Sequence, residues 1–316
     1  MTRVTLIAGG VGGAKMAEGF AALPDIDLTI IGNVADDEEF HGLWVSPDID
    51  TMLYTLSGRI NRDQGWGIAD EGRRALDVLE ELGADTWMFL GDRDFGLHIY
   101  RTERLRRGDR PGEITADVAR RFGIAPQIVL PTDDRVQTRV RTDAGWLSFQ
   151  EYFVREHCAP EVLALHYDGL AEAKMTVEAS RALDTADLIV LAPSNPLVSI
   201  APIIDIPDMR AAISGARADV YAVSPLIAGK VIKGPADRMM QSLGMRADAV
   251  GVAERYAGLA DRLLIDTADA HLGDEIAEIG IAPHVTDILM PDAAGKARLA
   301  GEIIALFRQS EKGKAA

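Results

Sequence analysis

The chain has 316 residues, enough for one large α/β domain or a core carrying an insert. Apolar residues make up 47% and charged residues 26%, and no apolar run approaches the ~20 residues of a membrane-crossing helix, so a soluble globular protein with no membrane partner is expected. The formal net charge of −16 argues against a nucleic acid partner, which needs a basic face, and leaves any phosphate to be held by backbone N–H groups, a few Lys or Arg, or a metal ion.

Met1 to Gly10 runs straight into an apolar strand, Val4-Thr5-Leu6-Ile7-Ala8, with no signal-peptide pattern. The glycine cluster Gly9-Gly10-Val11-Gly12-Gly13 follows, then Ala14 to Leu23 at helical spacing and a second strand, Leu28-Thr29-Ile30-Ile31, ending at Gly32-Asn33. This βαβ unit predicts an open parallel sheet. The spacing predicts a helix over Gly72–Leu82 and a third strand at Trp87-Met88-Phe89-Leu90. Leu188–Ala192 and Val220–Val223 read as later buried strands, each ending in a Pro-marked loop. Between them, from about Tyr100 to Met175, charge density rises. Val136–Val140 and Trp146–Phe149 alternate like a hairpin across Thr142-Asp143-Ala144-Gly145. The fold class expected is α/β: a Rossmann-like three-layer core with a mostly parallel sheet (1–99 and 176–316) and a smaller α+β insert (100–175). The polar tail from Gln309 to Ala316 is expected to fray. Cys158 is the only cysteine, so no intrachain disulfide can form. An inert position in a reducing cytoplasm is the simplest reading.

Five segments could carry chemistry. Gly10, Gly12 and Gly13 before a helix would let a backbone approach a phosphate, or could simply make a tight turn. The third glycine of the dinucleotide fingerprint is replaced by Lys15, which counts against an NAD-dependent dehydrogenase. Lys15, in the first turns of a helix, opposes the dipole unless it faces an anion. Asp36, Asp37, Asp48 and Asp50 fall within fifteen positions. If Asp48-Ile49-Asp50 is extended, both carboxylates share one face and could hold Mg²⁺, while a solvated acidic loop is the plain alternative. Arg93, between Asp92 and Asp94, reads either as a surface ion pair or as an anion clamp. Ser194 and Asn195, in Pro193-Ser194-Asn195-Pro196, offer donors at another strand end or make a plain turn. Lys230 and Lys233 stand in a glycine-bounded loop.

Together these segments resemble the 2-phospho-L-lactate transferase family of coenzyme F420 biosynthesis, which includes phosphoenolpyruvate transferases. The matching stretches are Gly9–Lys15, Gly32-Asn33 with Asp36-Asp37, Pro47 to Gly58, Gly65-Trp66-Gly67, Leu90 to Asp94, Pro193 to Pro196 with Ser199-Ile200, and Ser224-Pro225-Leu226 with Gly229 and Lys233-Gly234-Pro235. The resemblance implies a Mg²⁺-dependent transfer from a guanosine diphosphate ester of a small acid, with GMP leaving. The acceptor it implies is 7,8-didemethyl-8-hydroxy-5-deazariboflavin (Fo). It places Asp50 and Arg93 at the acceptor, and Gly10, Gly12, Gly13, Lys15, Ser194 and Asn195 at the nucleotide or its phosphates, with Asn33 a further binding residue. Asp48 and Asp50 are the expected metal ligands and Asp50 the expected base, on a surface whose change would leave folding intact. A homodimer is the expected assembly. A non-catalytic nucleotide-binding regulatory protein on the same core is the alternative.

Overall fold

The computed structural model describes residues 1–314. β1 (Thr2–Ala8) leads into α1 (Gly10–Ala21) and back to β2 (Ile26–Gly32), which pairs with β1 in parallel, Thr2 opposite Ile26 and Ala8 opposite Gly32. A small antiparallel hairpin follows, β3 (Glu38–Phe40) and β4 (Leu43–Val45). Four helices come next: α2 (Pro47–Leu56), α3 (Arg74–Glu81), α4 (Asp92–Arg106) and α5 (Pro111–Arg121). β5 (Gln127–Val129) then joins the outer edge of β2. β6 (Gln137–Thr142), β7 (Gly145–Ser148) and β8 (Ala164–Asp168) form a separate antiparallel sheet in the order β7-β6-β8. β9 (Leu188–Leu191) returns to the other side of β1, and β10 (Asp219–Val223) lies beside it. A two-stranded hairpin, β11 (Leu226–Ile227) and β12 (Lys230–Val231), precedes β13 (Arg262–Ile265) and β14 (Ala282–Val285).

The main sheet has seven parallel strands in the order β14-β13-β10-β9-β1-β2-β5. The chain starts in the middle, builds outward to β5, then crosses back to β9 and builds the other way. The strand order therefore reverses between β1 and β9, and a crevice opens at the carboxyl ends of those two strands, where such sheets hold ligands. Both faces of the sheet are covered, which is why its strands read as continuous apolar runs. Val4, Leu6 and Ala8 of β1 pack with Met16 and Phe20 of α1, while Ile7 joins Leu183, Ile189 and Leu191 on the opposite face. No helix among the described residues is long and apolar enough to cross a membrane.

Several expectations need correction. Trp87–Leu90 is not a strand. A short apolar run carries no period that separates a strand from a packed loop. Trp87 stands edge-on to Phe40, centroids 5.4 Å apart, in a satellite cluster with Val45, Leu76, Leu90 and Phe95. The stretch 100–175 does not stand apart as one block. Its start lies inside α4, and β5 belongs to the main sheet, so the antiparallel elaboration begins only at β6. The tail is helical from Ala293 to Lys314, where Ser310 and Lys314 both bond the Asp219 carboxylate; Ala315 and Ala316 lie outside the described residues.

Candidate active site at the strand-order reversal

α1 begins at Gly10, so the glycines form the first turn of the helix rather than a loop ahead of it. The spacing there is set by close approach. A Cβ on Gly12 would stand 2.2 Å from the Pro193 carbonyl oxygen, and one on Gly9 would stand 2.5 Å from Asp48 Oδ2. The turn after β9 is thereby pressed against α1. Ser194 Oγ donates to the Gly9 carbonyl (2.7 Å) and accepts from the Gly9 N–H (3.3 Å). Asn195 Oδ1 accepts from the Leu197 N–H at 2.9 Å, and its Nδ2 faces Met239 Sδ at 3.7 Å. The side chains of Ser194 and Asn195, expected at the nucleotide, thus hold the turn itself. Lys15 is half-buried one turn into α1 and has no carboxylate partner among the described residues.

Asn33, at the end of β2, is fully buried and organises the crevice. Its Nδ2 donates to Asp48 Oδ2 (2.9 Å) and to the Val198 carbonyl (3.2 Å), while its Oδ1 accepts from the Ala35 N–H (3.0 Å). Asp36 lies beside the same carboxylate. Burial, followed by the charges of Asp48 and Asp37, pushes Asp36 well above the usual carboxylate range. Burial also pushes Asp48 up to about 6, against the hydrogen bond from Asn33 and the Gly10 backbone N–H that faces it. Asp36 Oδ1 is buried with no hydrogen-bond partner among the described residues. Two mutually repelling carboxylates, one with an orphaned oxygen, suit a divalent cation, while the helix N-terminus beside them suits the phosphate that such a cation would carry; Mg²⁺ commonly takes one or two carboxylates and completes its shell with phosphate and water. No group of three or more His, Cys, Asp or Glu suited to a metal occurs among the described residues.

The expected metal pair, Asp48 with Asp50, is not brought together. Pro47–Leu56 is a helix, opened by Pro at its first position and by acidic residues in its first turn. Residues two apart on a helix point to different faces. Asp48 faces the crevice, whereas Asp50 faces α4 and is buried. Arg101 clamps both Asp50 oxygens, Nη1 to Oδ2 at 3.1 Å and Nη2 to Oδ1 closer still, and also donates to the Trp44 carbonyl (3.3 Å). The Ser46 N–H adds a bond to Asp50 at 3.3 Å. His98 stands 3.8 Å from the same carboxylate, and burial pushes it down to about 4, so it is neutral and Arg101 alone balances the charge. With its oxygens taken in this way, Asp50 is poorly placed to receive a proton from a substrate or to bind a metal. Arg101 and His98 carry no local signal of this role in the sequence. They sit in a polar helical stretch, and nothing local marks them as partners of a residue some fifty positions earlier.

Arg93 lies in the first turn of α4 rather than in a loop after a strand. Its Nη1 donates to the Ala69 carbonyl (2.9 Å) and its N–H to Glu71 (2.9 Å). It lines a cleft of about 620 Å³ with Arg59, Ile68, Leu97, Tyr100 and Phe122, and the Arg59 guanidinium lies 4.1 Å from the centre of the Phe122 ring. Asp50 is not part of that cleft. Next to Arg93, Asp94 Oδ1 accepts from the Tyr54 hydroxyl at 2.6 Å, and burial pushes Asp94 up to about 7. A carboxyl raised in the folded state contributes stability that is present below its unfolded value, near 3.8, and lost as pH rises through about 7. Asp94→Asn should therefore flatten part of the stability decline between those two values. Urea midpoints of both proteins across that window would check it, and parallel curves would refute the assignment.

A family model described as "2-phospho-L-lactate transferase CofD" matches residues 4–298. A phosphoenolpyruvate transferase of Kitasatospora aureofaciens is 38% identical over 319 aligned positions, covering 98% of this chain and 99% of that protein. A 2-phospho-L-lactate transferase of Methanococcoides burtonii is 34% identical, covering 96% and 98%. Among solved structures, protein BH3568 of Bacillus halodurans superposes with a TM-score of 0.64 over 96% of this chain and 99% of that one, at 15% identity, a likeness of fold alone.

Proposed function

Because the chain belongs to the 2-phospho-L-lactate transferase family of coenzyme F420 biosynthesis, we propose that it transfers a phospho-linked small acid, 2-phospholactate or phosphoenolpyruvate, from a guanosine diphosphate carrier to Fo. In this reaction the terminal ribityl oxygen of Fo bonds to the phosphorus that carries the acid. The P–O bond to the guanosine phosphate breaks, GMP leaves, and the hydroxyl proton is released. Such transfers depend mainly on positioning and on stabilising charge at phosphorus.

The observation that carries the reading is the Asp36–Asp48 pair with its orphaned oxygen, set against the N-terminus of α1. Asp36 and Asp48 would hold Mg²⁺, which when bound supplies neutralisation of phosphate charge. The N–H groups of the first turn of α1 and the Lys15 ammonium would hold the donor's phosphate oxygens. Asn33 keeps Asp48 aimed into the crevice. The cleft at Arg93, with apolar walls and unpaired guanidinium charge, supports an aromatic acceptor there. Incubating the protein with Fo and each guanosine diphosphate ester, then weighing the product, tests the reaction and selects the acid. EDTA should abolish transfer and Mg²⁺ restore it; full turnover in metal-free buffer would remove the cation from the mechanism.

A further inference from the structure

We propose that Lys233 is the second cation of the donor-phosphate site, reaching the first turn of α1 from the opposite wall and joining two loops above it. The proposal rests on the transferase reading for the identity of the donor, but it stands on geometry of its own. β11 and β12 form a hairpin at the carboxyl side of the sheet, turning through Ala228 and Gly229, both at positive φ (48° and 70°). The Ala228 N–H is held by the Asp269 carboxylate at 3.0 Å and 3.1 Å, which fixes the hairpin to the core. Its two lysines have different fates. Lys230 Nζ lies 3.4 Å from the buried carboxylate of Asp237. Lys233 has no carboxylate partner among the described residues and donates instead to the Gln64 carbonyl.

That bond brings a second loop into place. Gln64 and Gly65 precede Trp66, and a Cβ on Gly65 would lie 3.1 Å from Val11 Cγ1, in the first turn of α1, and 3.4 Å from Lys233 Nζ. The loop therefore sits directly over the glycine turn, with Lys233 at its edge. Trp66, flanked by Gly65 and Gly67 at positive φ, remains 43% exposed. Lys15 is close enough to sense Lys233. Burial first, then the charges of Lys296 and Lys233, lower its pKa. Lys296 shares the Glu18 carboxylate (2.6 Å) with Arg62 (2.7 Å), whereas neither Lys15 nor Lys233 has a carboxylate partner among the described residues. In a chain with 49 acidic and 33 basic residues, two neighbouring lysines without carboxylates mark a place where an anion from outside completes the charge balance. The anion this suits is a diphosphate, long enough to touch both.

The test is titration calorimetry with GDP, inorganic pyrophosphate and guanosine in the presence of Mg²⁺. Lys233→Gln keeps a donor for the Gln64 carbonyl but removes the charge. It should weaken GDP and pyrophosphate about tenfold or more, the scale of one charge-assisted hydrogen bond, and leave any guanosine binding unchanged. Lys233→Arg should recover most of the loss, and Lys230→Met should bind like the unaltered protein. GDP should also change Trp66 fluorescence, a signal removed by Trp66→Phe and diminished in Lys233→Gln. If Lys233→Gln melts normally and binds GDP as tightly as the unaltered protein, Lys233 is a structural tether and the proposal fails. If GDP and pyrophosphate bind as expected but no acid is transferred to Fo, the transferase reading fails while the phosphate clamp stands.

Discussion

Asp50→Asn is expected to lower folding stability by about 3–5 kcal/mol, the cost of leaving one member of a buried ion pair without its partner. The carboxylate and the Arg101 guanidinium are each 6% exposed, so solvent screens them little. Asparagine keeps the shape and can still accept from the Ser46 N–H, but it leaves Arg101 charged, buried and uncompensated. A urea melt would read the loss. Activity should fall in proportion to the folded fraction, and Asp50→Asn/Arg101→Gln should regain part of the stability, because the two substitutions act on one interaction and do not add. A normal melt with turnover reduced about 10²-fold would restore Asp50 to the role of a base.

The burial of Asp50 against Arg101 departs from the expectation drawn from the sequence, in which Asp50 is a surface carboxylate. The signals for a helix were present. Pro47 stands at the first helical position with Asp48 and Asp50 in the first turn, and Ile49, Met52 and Leu53 recur at helical spacing. Reading Asp48-Ile49-Asp50 as extended placed both carboxylates on one face; reading it as a helix separates them. What could not be read locally is the partner. Arg101 meets Asp50 only because α4 packs on β4, the strand that leads into α2, and no spacing rule links residues that far apart.

The central strands were legible for the opposite reason. Val4–Ala8, Leu28–Ile31, Leu188–Leu191 and Val220–Val223 are buried on both faces, so the apolar run itself is the signal. Trp87–Leu90 is also a short apolar run but covers a satellite cluster; it lacks the Val and Ile that mark the central strands, and apolarity alone does not distinguish the two. The glycine turn was legible as a close approach, though its partner is protein: Pro193 and Asp48 fill the space that a side chain would need. Asp36 was visible as part of an acidic cluster. Its pairing with Asp48, rather than Asp48 with Asp50, depended on Asn33 binding Asp48 at the end of β2.

Asp48→Asn should produce the opposite pair of effects from Asp50→Asn. Asn33 can still donate to the new side-chain oxygen, so the crevice keeps its shape. The substitution removes the charge that repels Asp36, and the folded protein should hold or slightly gain stability in EDTA at pH 8. Transfer should nevertheless fall by about 100-fold or more, because a cation at phosphorus is worth several kcal/mol and each ~1.4 kcal/mol is a factor of ten. Stability gained where function is lost is the signature of a site assembled against its own electrostatic preference. Raising Mg²⁺ should recover part of the activity if Asp36 still binds the ion, with an activation midpoint shifted to higher Mg²⁺. The decisive measurement is turnover against Mg²⁺ concentration for both proteins, alongside their urea midpoints. Were Asp48→Asn to show the unaltered Mg²⁺ midpoint and full turnover, the Asp36–Asp48 pair would not be the cation site, and its orphaned oxygen would need another ligand.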